Sequence, residues 1–391
     1  MSVEITTKSW WTRIKDAFIG IFLGIALIIG SIVLIFWNES HGLHMEQSLE
    51  QTKKVLVSIP IAPVNPQNNL KAVYISGLAT TKDNLTDSKL GITENAISLD
   101  RQVEMYQWKE NVDTKIESQT GGSEKETKTY SYKQVWSDSL IDSSGFKDKE
   151  GHQNPTSMPI KSLTQYAKTV TVGDFSLPDS LIKQINESQS VDLAQVDKDK
   201  LKNTYNKKVT LVDDQLFLGE NSQDPVIGDL QIKLSVVHPK VVSIIGQQTD
   251  NSFSEYVPPA GEGIMLLSTG KQSSDQMISD ALSSNKLMTW IWRAVSLILL
   301  IVGFGLIFKP LVVLADFLPF LGSIVGFGTG FISFILGLGV WVIMTAIAWF
   351  TTRPLLSIGL VVMVAVVSYI LIKMKGKTVI VAPPVVNETK V

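Results

Sequence analysis

The sequence has no cysteine in 391 residues. That absence excludes disulfides, thiol nucleophiles, iron–sulfur clusters and cysteine-ligated zinc. A charge excess of one sign is also missing: 35 Lys+Arg against 37 Asp+Glu gives a net charge of −2. A strongly basic nucleic-acid binder is excluded on that ground, and no nucleic-acid partner is expected. There is no Walker loop, HExxH motif or dinucleotide fingerprint, so neither a cofactor nor an enzymatic activity is expected. What the chain does have is apolar residues, 45% of the total, too many for a largely disordered protein.

Those apolar residues are segregated. Residues 17–37 (AFIGIFLGIALIIGSIVLIFW) carry no charge, and as a helix they extend roughly 31 Å, the thickness of a bilayer core. The run ends in Phe36-Trp37-Asn38-Glu39 without a small-x-small cleavage site, which reads as an anchor rather than a signal peptide. A second apolar region covers residues 288–373. It divides into predicted spans at 288–308, 322–350 and 355–373. Lys309-Pro310 ends the first of these, and 309–321 reads as an interfacial or re-entrant segment containing Asp316 and Pro319. A helix is expected to lead into the 288–308 span from Ser274, with Ser273 and Gln276 spaced as a capping box.

Charge follows the same division. Residues 1–16 sum to +1 and residues 288–391 to +5, which leaves 25 basic and 33 acidic residues between them. By the positive-inside rule, 1–16 is a cytoplasmic tail, 38–287 an acidic domain outside, and 374–391 a second cytoplasmic tail. Arg293 and Arg353 dissent, because four spans place them on the outer side. The expected architecture is an α+β extracytoplasmic domain, mostly β, attached to a four-span helical bundle.

Within 38–287, Gln102–Glu110 and Thr129–Trp136 have strand composition, and the polar stretch between them reads as a mobile hairpin tip. Further strands are predicted at Val209–Leu218, Ile227–Val237, Val241–Gln247 and Gly263–Ser268. A helix is predicted at Asp179–Asn186, where Leu181, Ile182 and Ile185 share a face. Val73–Gly77 with Ala96–Trp108 loosely resembles Leu216–Gly219 with Ile227–Val237, which suggests an internal repeat.

Several residues are candidates for chemistry, each with a plainer reading. Gly151-His152-Gln153-Asn154-Pro155 reads as a turn; the alternative gives His152 and Asn154 a ligand or proton-transfer role. Met105, Tyr106 and Trp108, with Tyr130, Tyr132 and Trp136, read as core and cross-strand pairs or as an aromatic ligand surface. His41 and His44 share a helix face and are weak zinc or copper candidates, but two ligands are too few for a structural site, so no metal is expected. Gly322, Gly326 and Gly330, and likewise Gly20 and Gly24, give GxxxG spacing for close packing between helices or subunits. Asp316 is an acid in an apolar region, a candidate for an ion or proton path or simply an interface residue.

VEMYQW at 103–108, YSY at 130–132 with Trp136, GHQNPTSM at 151–158 and VIGDLQI at 226–232 follow in order. With one span before and several after, this series resembles the LUMA family, also called transmembrane protein 43, over essentially the whole chain. His41, His44, the cysteine-free spans and the loop lengths depart from the family pattern, and the short N-terminus resembles a prokaryotic member. The resemblance implies a multi-span protein with a lumenal or periplasmic domain. In animals it implies the endoplasmic reticulum and inner nuclear membrane, self-association, and binding to lamins and emerin. The expected function is therefore a non-enzymatic membrane scaffold that organises an envelope. Its expected partners are the lipid bilayer, further copies of itself, and unidentified membrane or extracytoplasmic proteins. An oligomeric channel is the alternative, and an enzyme in the outer domain is a third reading.

Overall fold

Ser9 ends an extended N-terminal segment and starts the first helix: its Oγ accepts the Thr12 N–H at 3.2 Å. This computed structural model describes residues 2–350 together with 358, 359, 362, 366, 369 and 373. The helices are α1 (Trp10–Val55), α2 (Asp179–Ile182), α3 (Lys198–Tyr205), α4 (Ser274–Ala315) and α5 (Pro319–Phe350). In chain order the strands are β1 (Ser2–Lys8), β2 (Val57–Ser58), β3 (Ala72–Thr80), β4 (Asn84–Asp87), β5 (Ile92–Asn95), β6 (Ser98–Ser118), β7 (Glu124–Ser137), β8 (Leu163–Tyr166), β9 (Thr171–Val172), β10 (Phe175–Ser176), β11 (Gln189–Ser190), β12 (Val209–Val212), β13 (Gln215–Leu218), β14 (Leu230–Val237), β15 (Lys240–Thr249), β16 (Ser252–Ser254) and β17 (Leu266–Thr269).

The chain divides into two units. The first holds Met1–Arg13, His44–Leu287 and Asp316–Pro319; the second holds Ile14–Leu43, Met288–Ala315 and Phe320–Val391. The first unit is built on two larger sheets. One runs β1-β7-β6-β14-β13-β12, with β8 and β11 attached; the other runs β10-β9-β3-β15-β16, with β17 and β2 attached. β6 shows how the sequence dictates its face. Leu99, Arg101, Val103, Met105 and Gln107 are buried while Gln102 and Glu104 are exposed, the period of two expected of a half-buried strand. The buried apolar side chains pack with Leu216, Leu230, Ile232 and Leu234. Arg101 is paid for by Asp87, whose two oxygens accept at 2.6 and 2.7 Å. The second sheet buries Val73, Ile75, Val242 and Ile244 with Leu181, Ile182 and Ile185.

Several expectations need correction. Residues 1–16 are not a separate tail. Ser2–Lys8 is hydrogen-bonded in register to Tyr130–Glu124 as the edge strand of the first sheet. The polar stretch after Glu110 is not a mobile tip: β6 and β7 stay paired to Ser118 and Glu124, and the turn is confined to the residues between, where Gly121 and Gly122 take φ +90° and +81°. Val209–Leu218 is two strands, because Asp213 and Asp214 both adopt positive φ and form a two-residue hairpin turn. α2 stops at Ile182 and continues as single turns, although all three predicted apolar side chains are buried. The suggested repeat does not hold. Leu216–Leu218 pairs with β14 in the first sheet, whereas Val73–Gly77 pairs with β15 in the second.

The helices also run past their predicted limits. α1 carries its apolar run on through polar residues to Val55, and Leu49 is buried with Ile245, Ile264, Met277 and Ile278. Ser273 caps α4 as expected, accepting the Gln276 N–H at 3.2 Å. Lys309-Pro310 does not end α4, which continues to Ala315 with Pro310 inside it. A proline removes one helical hydrogen bond, a defect that apolar membrane-type helices accommodate. Residues 309–321 are thus the last turns of α4, a short connection at Asp316, and the first turn of α5. Among the described residues, three helices (α1, α4 and α5) are long and apolar enough to cross a membrane. Most of the predicted span 355–373 lies outside the described residues.

Candidate functional site

The motifs singled out in the sequence converge on one stretch of β6. Met105 is fully buried, and Tyr106 pairs with Trp136 across the ladder, ring centroids 5.0 Å apart. On the other edge of β6 the backbone of Tyr106 bonds the VIGDLQI segment: Tyr106 N–H donates to Asp229 O at 2.8 Å, and Gly228 N–H donates to Tyr106 O at 2.8 Å. Two residues on, the Asn154 side chain takes over. Its Oδ1 accepts the Trp108 N–H at 2.7 Å and its Nδ2 donates to Trp108 O at 2.9 Å. The amide thereby substitutes for a neighbouring strand. Pro155 packs over Gly228, which has φ +92° and so has no side chain in the way.

His152 follows Gly151, itself at φ +79°. Its ring stacks on Tyr132 at 3.9 Å and meets the edge of Trp108 at 4.7 Å, while Nδ1 lies 3.1 Å from Asp148 O. The Tyr132 hydroxyl donates to Glu110 at 2.7 Å and accepts the Asp148 N–H at 2.7 Å. Burial, and then the bond to Glu110, raise the Tyr132 phenol. Alongside, Tyr130 donates to Glu4 of β1 at 2.7 Å. That bond pushes the Tyr130 phenol up to about 12, and it lowers Glu4 together with Lys147. Gln107 was missed as a functional candidate. Completely buried, it donates to Ser139 O at 2.9 Å and accepts the Ile141 N–H at 2.8 Å. Two carboxamides therefore fasten the 138–158 loop to β6. Asn154→Ala removes both bonds to Trp108 and a third to Ile141 O. At about 1 kcal/mol per bond, the loss is expected to be about 2–3 kcal/mol, read as lost amide-exchange protection at Trp108 with β1 and β14 unaffected.

Asp316 lies elsewhere in the same unit, and it has a partner. Arg13, at the start of α1, pairs with Asp316, with Glu124 at 2.7 Å, and with Gly122 O at 2.6 Å. Ser118 donates to Asp316 at 3.3 Å and Gly121 N–H donates to Phe317 O at 3.0 Å. The hairpin turn, the first turn of α1 and the α4–α5 connection are thus joined around one buried ion pair. In the sequence Arg13 registered only as an N-terminal positive charge.

The helical unit has its own charged cluster. Arg293, the apparent dissenter, makes a two-pronged pair with Glu39 at 2.6 and 2.8 Å, and both are buried. Trp349 Nε1 donates to the same carboxylate at 2.6 Å. Trp290 and Trp349 place rings 4.7 and 5.2 Å from the guanidinium carbon, and Trp341 donates to Arg293 O and Ser296 Oγ at 3.1 Å. α1 and α4 run antiparallel, with Ser31 donating to Ser296 O at 2.7 Å. They approach closely at Gly24 and Gly303, where a Cβ on Gly24 would lie 2.6 Å from Gly303 O. Gly20 faces Leu306 more loosely at 3.9 Å. On α5, Gly322 is buried, Gly326 would meet Val312 at 3.5 Å and Gly330 faces open space. The tight contact there is Gly337, against the backbone of Ile301. His41 stacks on Trp37 with centroids 5.2 Å apart, and His44 is exposed. No group of three or more metal-ligating side chains converges among the described residues.

A family model described as transmembrane protein 43 matches residues 105–354, more than half the chain and most of the motifs above. The chain belongs to that family. It is 28% identical to transmembrane protein 43 of Homo sapiens over 369 residues, covering 90% of each chain. The Mus musculus protein gives the same identity and coverage. The Drosophila melanogaster homolog is 26% identical over 370 residues, 91% of this chain and 93% of its own. No solved structure matches. Membership makes this a membrane protein, in keeping with the three long apolar helices. The matched range includes most of the motif residues that meet on β6.

Proposed function

We propose that this family member is a non-enzymatic membrane scaffold that self-associates and presents its β-rich unit to protein partners. The supporting observation is how the motif side chains are used. Gln107 and Asn154 bond backbone groups, and His152 sits between two rings and a carbonyl. Each of these polar groups stiffens a loop on a strand, and among these motif side chains no acid, base and nucleophile are aligned for a reaction. A rigid, polar surface on a membrane anchor suits binding better than turnover. In detergent or nanodiscs, the purified protein is expected to have the mass of a dimer or larger and to cross-link in membranes. A strictly monomeric protein with no cross-links would overturn the reading.

A further inference from the structure

Among the described residues most terminal strands of the two larger sheets are short, although β6 also lacks a strand on its outer side from Lys109 to Ser118, where Val112 and Ile116 are exposed. The first sheet ends at β12 with four residues, beside α3, and the second ends in strands of two and three residues. Short edges offer few free N–H and C=O groups to another chain. β1 is different. It ends the first sheet at the other side, its seven residues are paired to β7 along their whole length, and no strand lies beyond it among the described residues. It contains no proline, its pairing register is unbroken, and its one lysine is at the end. Val3 and Ile5 are 55% and 58% exposed, and Thr6, Thr7 and Lys8 are exposed as well. A long, regular, apolar-bearing terminal strand is a surface for strand addition.

We propose that β1 pairs antiparallel with β1 of a second copy, joining the two first sheets across a two-fold axis. This rests on the self-association proposed above and gives it an interface. The strand is self-complementary in the register that overlaps it completely. Ile5 then faces Ile5, Val3 faces Thr7, Glu4 faces Thr6 and Ser2 faces Lys8. β-branched residues meet on one face, and on the other Glu4 is diagonal to both Lys8 and Glu4 of the second copy, so no like charges are directly opposite and the one like-charge diagonal is flanked by two opposite-charge ones.

The absence of cysteine makes the test clean, because any introduced thiol is the only one. Directly opposed residues bring Cα atoms to about 4.5–5.5 Å, within disulfide range. Val3 and its own copy would be four residues out of register, about 13 Å apart. With a mild oxidant, full-length Ile5→Cys is expected to form a disulfide-linked dimer. Val3→Cys or Thr7→Cys alone should not, whereas the two mixed together should. Deleting residues 2–8 is expected to lower the native mass. Equal cross-linking at all three positions, or none at position 5 together with an unchanged mass after the deletion, would overturn the β1 interface. If the unmodified protein is oligomeric while Ile5→Cys stays unlinked, self-association stands and this interface fails. If the unmodified protein is monomeric, both fail.

Discussion

Glu39→Ala is expected to destabilise the helical unit by about 4–5 kcal/mol, the upper part of the range for breaking a buried ion pair. The change leaves the Arg293 guanidinium buried without a carboxylate and removes the acceptor of Trp349 Nε1. The two tryptophan faces beside Arg293 are in place before and after the change, so they do not replace the lost carboxylate. Glu39→Gln keeps an acceptor for Trp349 and one bond to Arg293, so its cost should be about half as large. Arg293→Met combined with Glu39→Leu should recover most of the loss, because replacing both ions by apolar groups removes the desolvation cost together with the attraction. Thermal unfolding in detergent, followed by tryptophan fluorescence, reads all three. Trp290, Trp341 and Trp349 sit on the cluster and report it directly. A Glu39→Ala protein melting within a degree or two of the parent would mean the pair is solvated.

Asp316→Ala is expected to cost about 3 kcal/mol, the lower end of the same range. Arg13 there retains Glu124 and the Gly122 carbonyl, and Glu124 is partly exposed, so some compensation survives. The loss should be local. Amide exchange should quicken at Gly121, whose N–H is held by Phe317 O, and across the β6–β7 turn, while Met105 and the strands around it keep their protection. Arg13→Ala should cost more than Asp316→Ala, because it leaves two carboxylates facing each other. The reverse order would mean that Asp316 acts through something other than this pair.

Local patterns were readable wherever one residue type answers to one local force. The apolar runs gave α1, α4 and α5, strand composition gave β14 and part of β6, and Ser273 with Gln276 gave the start of α4. Gly151 takes a positive φ, but Asn154-Pro155 is not the turn its composition suggests, because the Asn154 amide is bound to the backbone of Trp108 and Ile141. The errors came where a distant partner decides. The residues between Glu110 and Thr129 look like a loop by composition, yet all but the turn at 119–123 are strand because each finds a ladder partner across the β6–β7 hairpin, and part of β7 finds a second on β1. Pro310 looks like a stop, but the helix around it is held by packing rather than by propensity. Asp316 and Arg293 looked like isolated charges because their partners, Arg13 and Glu39, lie roughly 300 and 250 residues away in sequence.

Composition and residue order by themselves gave a membrane protein with an acidic, largely β unit and no disulfide or thiol chemistry, and the motif series gave its resemblance to the transmembrane protein 43 family. Hydrophobicity is additive along the chain and needs no knowledge of contacts, and the family motifs are contiguous. Only the tertiary structure decided that residues 2–8 are an edge strand, that three motifs meet on Tyr106 and Trp108, and that two buried carboxylates have arginine partners. A strand, an ion pair or a carboxamide clamp is stable only when its second half is in place, and in each of these cases that half lies far along the chain.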